Sequence, residues 1–113
     1  MRVLFVDDEP NVLDSIRRQL RKSCEILTAT SGAEALALLK DTGPVALVIS
    51  DMRMPGMSGA ELLAKIRDLY PDTVRMILSG QADLDSTIAA INDGHIFRFL
   101  TKPSHEDALR RAV

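Results

Sequence analysis

The feature that most constrains this chain is an apolar stretch, Val45 to Ser50, that runs directly into an acidic residue, Asp51. Five of its six residues are apolar, and its β-branched residues favour a strand buried on both faces over a lone helix. Open α/β sheets bind their ligands at the carboxyl ends of such strands. A carboxylate at that point is costly unless a partner compensates its charge. The stretch therefore predicts a reactive or ligand-binding carboxylate at the centre of a parallel sheet.

Strand and helix patterns alternate along the rest of the chain. Apolar runs bounded by polar or turn residues predict five strands, at 2–6, 25–29, 45–50, 74–78 and 97–101. Helical spacing of apolar residues and capping signals predict five helices, beginning near Pro10, Ser31, Ser58, Asp83 or Asp85, and Ser104. Five strand–helix units predict an α/β fold, namely a flavodoxin-like doubly wound (βα)5 domain with a parallel sheet of order 2-1-3-4-5.

That strand order brings acidic residues from two strands together. Strand one ends at Asp7 and Asp8 and its neighbour, strand three, ends at Asp51, so the three carboxylates should meet. Carboxylates that meet in this way repel one another, and the usual remedy is a raised pKa of one carboxyl group or a bound hard cation. Oxygen ligands without a nearby His or Cys cluster favour Mg²⁺ or Mn²⁺ over zinc. Ser79 and Lys102 follow strands four and five and add a hydroxyl and a cation to the same edge.

Four motifs lie at these strand ends: Asp-Asp-Glu-Pro at 7–10, Asp-Met-Arg-Met-Pro-Gly-Met-Ser-Gly at 51–59, Ser-Gly at 79–80 and Phe-Leu-Thr-Lys-Pro at 99–103. Each alone is weak, but the set resembles the receiver domain of two-component response regulators. The resemblance covers nearly the whole chain. We therefore expect residues 1–113 to be a single receiver domain, with its last helix truncated and any output domain beyond residue 113.

The resemblance implies a chemical role for each matching residue at the acidic end of the sheet. Asp51 would accept a phosphoryl group from a phosphohistidine on a sensor histidine kinase or a phosphotransfer protein. Mg²⁺ (or Mn²⁺) would be held by the side chains of Asp8 and Asp51, by Asp7 partly through water, and by the backbone carbonyl of Arg53. Lys102 would contact the phosphoryl oxygens. The domain would catalyse only its own phosphorylation and dephosphorylation and would not be an independent enzyme.

The resemblance also implies a conformational switch and a downstream partner. Ser79 would move toward the phosphate, and Phe99 would turn inward into the space that this vacates. The change would act on the α4-β5-α5 face, that is the predicted helix at 83–93, the strand at 97–101 and the helix from 104 onward. That face would control an output domain or pair two copies of the domain. The segments 80–83 and 92–103 are similar to receivers joined to HD-type cyclic-dinucleotide phosphodiesterases.

Charge and composition exclude other classes of partner. The net charge of −2 offers no electrostatic basis for binding nucleic acid or an anionic membrane. No apolar stretch reaches membrane-spanning length and the first residues do not form a signal peptide, so we expect a cytoplasmic domain.

Three other functions remain open from the sequence. A phosphatase of the haloacid-dehalogenase type would need an acid two places after the nucleophile, where Arg53 stands. A flavodoxin-like FMN binder would need a hydroxyl- and glycine-rich loop after strand one, where three acids stand. A degenerate receiver that acts only as a binding scaffold would lack some of the expected side chains, and all of them are present.

Overall fold

The computed structural model describes residues 1–79 and 98–101, with the backbone alone for 79 and for 98–101. Within these ranges, strands and helices alternate as far as β4. The elements are β1 (Arg2–Val6), α1 (Pro10–Leu20), β2 (Glu25–Ala29), α2 (Gly32–Thr42), β3 (Leu47–Asp51), α3 (Gly59–Leu69), β4 (Val74–Ser79) and β5 (Arg98–Thr101). The predicted fourth and fifth helices lie outside the described residues.

The five strands form one sheet of order β2-β1-β3-β4-β5, and every neighbouring pair is parallel. This confirms the predicted doubly wound α/β fold. The central pair is β1 and β3, in which Val6 lies opposite Ser50. On the other side of β3, Asp51 lies opposite Leu78 of β4. The carboxyl ends of β1, β3 and β4 therefore share one edge of the sheet.

Apolar side chains pack on both faces of this sheet. On one face, Leu39 of α2 and Leu62 and Ile66 of α3 belong to a buried cluster with Val48 and Ile77. On the other, α1 contributes Leu13, Ile16 and Leu20 to a cluster with strand residues such as Phe5 and Ile49. Alternate residues along each strand face opposite sides. The sheet is thus buried by helices on both faces, and its strand ends are left to form the site.

Serine caps fix where α2 and α3 begin, as the repeated Ser-Gly-Ala-Glu sequence predicts. The hydroxyls of Ser31 and Ser58 accept from the amides of Glu34 and Glu61, at 3.1 and 3.2 Å. The Glu34 carboxylate reaches one residue further back than a standard capping box requires. It accepts from the Thr30 amide at 3.1 Å and from the Thr30 hydroxyl at 2.6 Å. These hydrogen bonds lower the pKa of Glu34.

Candidate functional site

Three aspartates meet at the carboxyl edge of the sheet. Asp7 and Asp8 follow the last residue of β1, and Asp51 is the last residue of β3. Because these strands are hydrogen-bonded neighbours, their ends lie side by side. Each aspartate offers a carboxylate oxygen, and these oxygens all lie within 4.8 Å of one another. The structure thus brings together the three carboxylates that the strand order predicts to meet.

The three carboxylates differ in how firmly they are held. Asp7 is 3% exposed, and its Oδ1 accepts from the amide of Glu9 at 3.0 Å. The Asp7 amide in turn donates to the carbonyl of Ala29, at the end of β2, at 3.1 Å. Asp51 is half-buried and Asp8 is exposed. The group therefore has a fixed, buried side and a side open to solvent, from which a ligand can approach.

The geometry and the donor atoms of this group fit a divalent cation. Mg²⁺ binds oxygen at about 2.0–2.1 Å in an octahedron, so oxygens on opposite sides of the ion stand about 4.2 Å apart. The three carboxylate oxygens lie within 4.8 Å of one another, so side-chain rotation alone could bring them around one ion. The donors are all carboxylate oxygens, the class that Mg²⁺ and Mn²⁺ prefer over zinc.

The loop that follows Asp51, residues 52–58, returns to the sheet through Gly59. The amide of Gly59 donates to the carbonyl of Met52 at 2.8 Å. A Cβ on Gly59 would overlap the carbonyl oxygen of Asp51 and lie 3.0 Å from Cδ1 of Ile77. Within the loop, Gly56 has a φ of +81°, a conformation that costs residues with a side chain about 1–2 kcal/mol. Two glycines thus let the loop turn and let α3 begin against the Asp51 backbone.

Methionines fasten the same loop to the core. Met52 is 3% exposed, and Met54 and Met57 pack against the core cluster beneath α2 and α3. Met57 also contacts the first residue of α2, because a Cβ on Gly32 would lie 2.7 Å from its Sδ. The methionines therefore serve packing, whereas Arg53, which lies between Met52 and Met54, is exposed.

A hydrogen bond to the Asp51 backbone is a feature that the sequence reasoning missed. Ser50 is 0% exposed, and its hydroxyl donates to the carbonyl of Asp51 at 2.9 Å. The signal available in the sequence is that Ser50 interrupts an otherwise apolar strand, immediately before the acidic residue. A buried hydroxyl requires an acceptor, but the sequence does not indicate which one.

The remaining predicted site residues are described only in part. In the backbone, Ser79 ends β4 and pairs with Thr101, and Phe99 pairs with Ile77. Since Asp51 lies opposite Leu78, Ser79 is one residue further along the same edge. The side chains of Ser79 and Phe99 lie outside the described residues, as does the whole of Lys102. Their expected phosphate contact and switch therefore stay predictions.

The comparison with protein families assigns the chain. The family of response regulator receiver domains matches residues 3–113. The chain belongs to the response regulator receiver family. This is a family of signalling domains rather than of metabolic enzymes, which decides against the phosphatase and the FMN binder. Its members are the parts of two-component response regulators that histidine kinases phosphorylate, and they bind Mg²⁺ at an acidic pocket.

Individual receivers are similar over almost all of this chain. The hydrogenase transcriptional regulatory protein HoxA of Cupriavidus necator is 40% identical over 107 residues, which are 95% of this chain and 22% of HoxA. This chain thus spans less than a quarter of the length of that relative. Among the residues that the structure describes, no helix is long and apolar enough to cross a membrane.

Two solved structures agree with the fold. A response regulator receiver domain from Clostridium thermocellum is 35% identical, with a TM-score of 0.90 over 98% of this chain and 89% of that one. The signal receiver domain of an HD domain-containing protein from Pseudomonas fluorescens is 37% identical, with a TM-score of 0.91 over 98% and 82%.

Proposed function

We propose that this receiver accepts a phosphoryl group on Asp51 from the phosphohistidine of a sensor histidine kinase or a phosphotransfer protein, in a Mg²⁺-dependent reaction. The observation that carries the proposal is the meeting of Asp51 with Asp7 and Asp8, whose carboxylate oxygens lie within 4.8 Å of one another. Phosphoryl transfer needs little from a protein beyond positioning and charge neutralisation. The half-buried carboxylate of Asp51 is positioned by the end of β3. A cation held by the three carboxylates would neutralise the charge.

In the proposed step, a carboxylate oxygen of Asp51 attacks the phosphorus of the phosphohistidine. The new P–O bond forms as the P–N bond breaks, and the imidazole nitrogen leaves with the electron pair of that bond and takes a proton from solvent. The product is an acyl phosphate on Asp51. Asp51 is suited to this role because its side chain is only half-buried while its backbone is held in β3.

The metal would be held by the side chains of Asp8 and Asp51, by Asp7 partly through water, and by the backbone carbonyl of Arg53. When bound, Mg²⁺ (or Mn²⁺) neutralises charge on the carboxylates and on the phosphoryl oxygens. The buried, hydrogen-bonded Asp7 is the fixed member of this group. Lys102 would supply a second positive charge to the phosphoryl oxygens, which is consistent with its place directly after β5.

Phosphorylation adds about −1.5 to −2 charges and three strong acceptors at Asp51. We propose that Ser79 moves toward these acceptors, that Phe99 turns inward, and that the α4-β5-α5 face then controls an output domain or pairs two copies. Such a switch needs a two-state element that the new charge biases. Residues 1–113 would form one receiver domain, with the output beyond residue 113 in a cytoplasmic protein.

Two classes of output are supported by named similarities. HoxA is a transcriptional regulatory protein, and the Pseudomonas fluorescens receiver belongs to an HD domain-containing protein. The similarity of segments 80–83 and 92–103 to receivers of HD-type phosphodiesterases favours the second class. A protein carrying this receiver with an HD-type output should hydrolyse a cyclic dinucleotide at a rate that changes on phosphorylation. Phosphorylation-dependent promoter binding without such hydrolysis would favour the first class.

The test of the phosphoryl-transfer proposal uses acetyl phosphate as a small donor. With Mg²⁺ present, intact-protein mass spectrometry should detect the addition of one phosphoryl group, and removal of divalent ions with EDTA should prevent it. Hydroxylamine should release the group, because it cleaves acyl phosphates and leaves phosphoserine intact. A product that resists hydroxylamine, or one that forms equally well in EDTA, would contradict the proposal.

A further inference from the structure

We infer that Ser50 is a positioning residue for Asp51: its hydroxyl fixes the Asp51 peptide so that the carboxylate points toward Asp7 and Asp8. The inference rests on the proposed phosphoryl transfer at Asp51. It concerns a residue that contacts neither the metal nor the phosphoryl group and acts only through the backbone of its neighbour.

The burial of Ser50 is the first observation. The residue is 0% exposed and lies between Val6 of β1 and Ile77 of β4 in the strand pairing. Burying a hydroxyl costs free energy unless it is hydrogen-bonded, and alanine or valine would fill an apolar strand position without that cost. The hydroxyl donates to the carbonyl of Asp51 at 2.9 Å. Its effect is therefore exerted on the peptide of Asp51.

The second observation is that the same carbonyl is confined by α3. Gly59 approaches so closely that a Cβ there would overlap the Asp51 carbonyl oxygen. The Gly59 amide is itself held by the carbonyl of Met52 at 2.8 Å. The carbonyl of Asp51 is thus hydrogen-bonded by the Ser50 hydroxyl and also closely packed against the backbone of Gly59. Few orientations of this peptide satisfy both contacts.

A fixed peptide fixes the direction of the bond from Cα to Cβ of Asp51, from which the carboxylate extends. The carboxylate must fall within 4.8 Å of two others that come from a different strand, so a small rotation of the peptide moves it out of reach. Groups that orient metal-binding side chains typically contribute about 10- to 100-fold to metal affinity or activity. Ser50 acts on the backbone of one ligand, so we expect the lower end of that range.

The test compares Ser50→Ala with a matched control, Thr73→Val. Thr73 is 3% exposed, and its hydroxyl donates to the carbonyl of Val45 at 2.8 Å. It precedes β4, at the opposite edge of the sheet from Asp51. Both substitutions remove one buried hydroxyl-to-carbonyl hydrogen bond, so both should lower the urea midpoint by similar amounts. Ser50→Ala alone should weaken Mn²⁺ binding and slow phosphorylation by acetyl phosphate, each by about 10-fold.

Two further variants strengthen the test. Ser50→Thr keeps the hydroxyl and should bind Mn²⁺ more tightly than Ser50→Ala does. Gly59→Ala, which displaces the Asp51 carbonyl from the other side, should bind Mn²⁺ more weakly than wild type does. If Ser50→Ala does not fold, Ser50→Cys takes its place, because a thiol is close in size and a weaker donor. Mn²⁺ affinity is measured by electron paramagnetic resonance without any phosphoryl donor, so it reports on the site independently of the reaction.

The outcomes separate this inference from the proposed function. Wild-type Mn²⁺ affinity and phosphorylation rate in Ser50→Ala, or in Ser50→Cys if that replaces it, would overturn the positioning role and leave the proposed function intact. Equal losses in Ser50→Ala and Thr73→Val would also overturn it, since a general loss of stability would then explain both. If the wild-type protein neither bound Mn²⁺ nor took up a phosphoryl group, both the proposed function and the inference would be contradicted.

Discussion

Met57 packs against Gly32, so the loop that follows Asp51 rests on the first residue of α2. A Cβ on Gly32 would lie 2.7 Å from Sδ of Met57 and 3.0 Å from its Cβ. The loop is therefore held at three places: at Gly59 against the Asp51 carbonyl, at the buried Met52, and at Met57 against α2. The loop that begins at the end of β3, next to Asp51, is thus braced by a helix, α2, that contributes no residue to the group of three aspartates.

Gly32→Ala should destabilise the protein by about 1–3 kcal/mol, the usual cost of overpacking a well-filled contact. The methyl group would have to displace Met57, whose Cβ can move only with the loop backbone. Met57→Ala removes the closest atom, Sδ, and keeps the Cβ at 3.0 Å; it relieves part of the clash, so the double variant should lose less stability than the sum of the two single variants. Urea unfolding of all four proteins gives the coupling free energy, expected at about 0.5–3 kcal/mol. Additive losses would show that the two residues do not constrain one another.

Asp8→Asn should have opposite effects with and without a divalent ion. In the metal-free protein it removes one of three neighbouring negative charges, so the free energy of unfolding should rise at low ionic strength. The gain should be below about 1 kcal/mol because Asp8 is exposed, and it should shrink as salt screens the charges. With Mg²⁺ at about 100 times its dissociation constant, wild type should gain about 2.7 kcal/mol, and Asp8→Asn should gain less.

Thermal unfolding of both proteins in EDTA and in Mg²⁺ measures these two effects. Asp41→Asn, an exposed change at the far end of α2, is the control and should respond to Mg²⁺ as wild type does. Equal stabilisation of wild type and Asp8→Asn by Mg²⁺ would favour a scaffold that does not use this group for metal binding.

Glu34 should stabilise the fold in a pH-dependent way. Hydrogen bonds from the hydroxyl and the amide of Thr30 lower the pKa of Glu34 below the ordinary value for a glutamate side chain. A carboxyl whose pKa is lowered by folding contributes stability above its unfolded pKa and loses it as pH falls through the folded pKa. Glu34→Gln should therefore cost stability near neutral pH, by less than about 1 kcal/mol because the group is exposed, and nothing in strong acid.

Urea unfolding of wild type and Glu34→Gln across the acid range follows this difference. In a Thr30→Val background, which removes the hydroxyl that acts most strongly on Glu34, the difference should be smaller. A stability difference that stays constant with pH would mean that the hydrogen bonds do not favour the ionised carboxylate.

The sequence predicts the fold well because the patterns of its strands are simple. The predicted strands at 2–6 and 25–29 have the observed bounds of β1 and β2, and the predicted strand order is the observed one. The third strand begins at Leu47 rather than at Val45. The carbonyl of Val45 accepts from the Thr73 hydroxyl, whereas the amide and carbonyl of Ala46 bond to the backbones of Arg2 and Val74. Apolar pattern alone does not distinguish these cases.

The sequence predicts only the part of the site that follows from where the strands end. Asp7, Asp8 and Asp51 meet because strand order places them at one edge, and that order follows from the alternation of strands and helices. The contacts that hold Asp51 depend on how α3 packs against β3. Nothing in the spacing of Ser50 and Gly59 along the chain indicates that both contact one carbonyl oxygen, because that contact arises from tertiary packing.

The most direct test of the account is to incubate wild type, Asp51→Asn and Asp41→Asn with acetyl phosphate and Mg²⁺. The mass of each intact protein is then measured by mass spectrometry. Wild type and Asp41→Asn should each gain one hydroxylamine-labile phosphoryl group, and Asp51→Asn should gain none. A hydroxylamine-labile group on Asp51→Asn at the wild-type rate would contradict the account, because the acceptor would then be a different carboxylate.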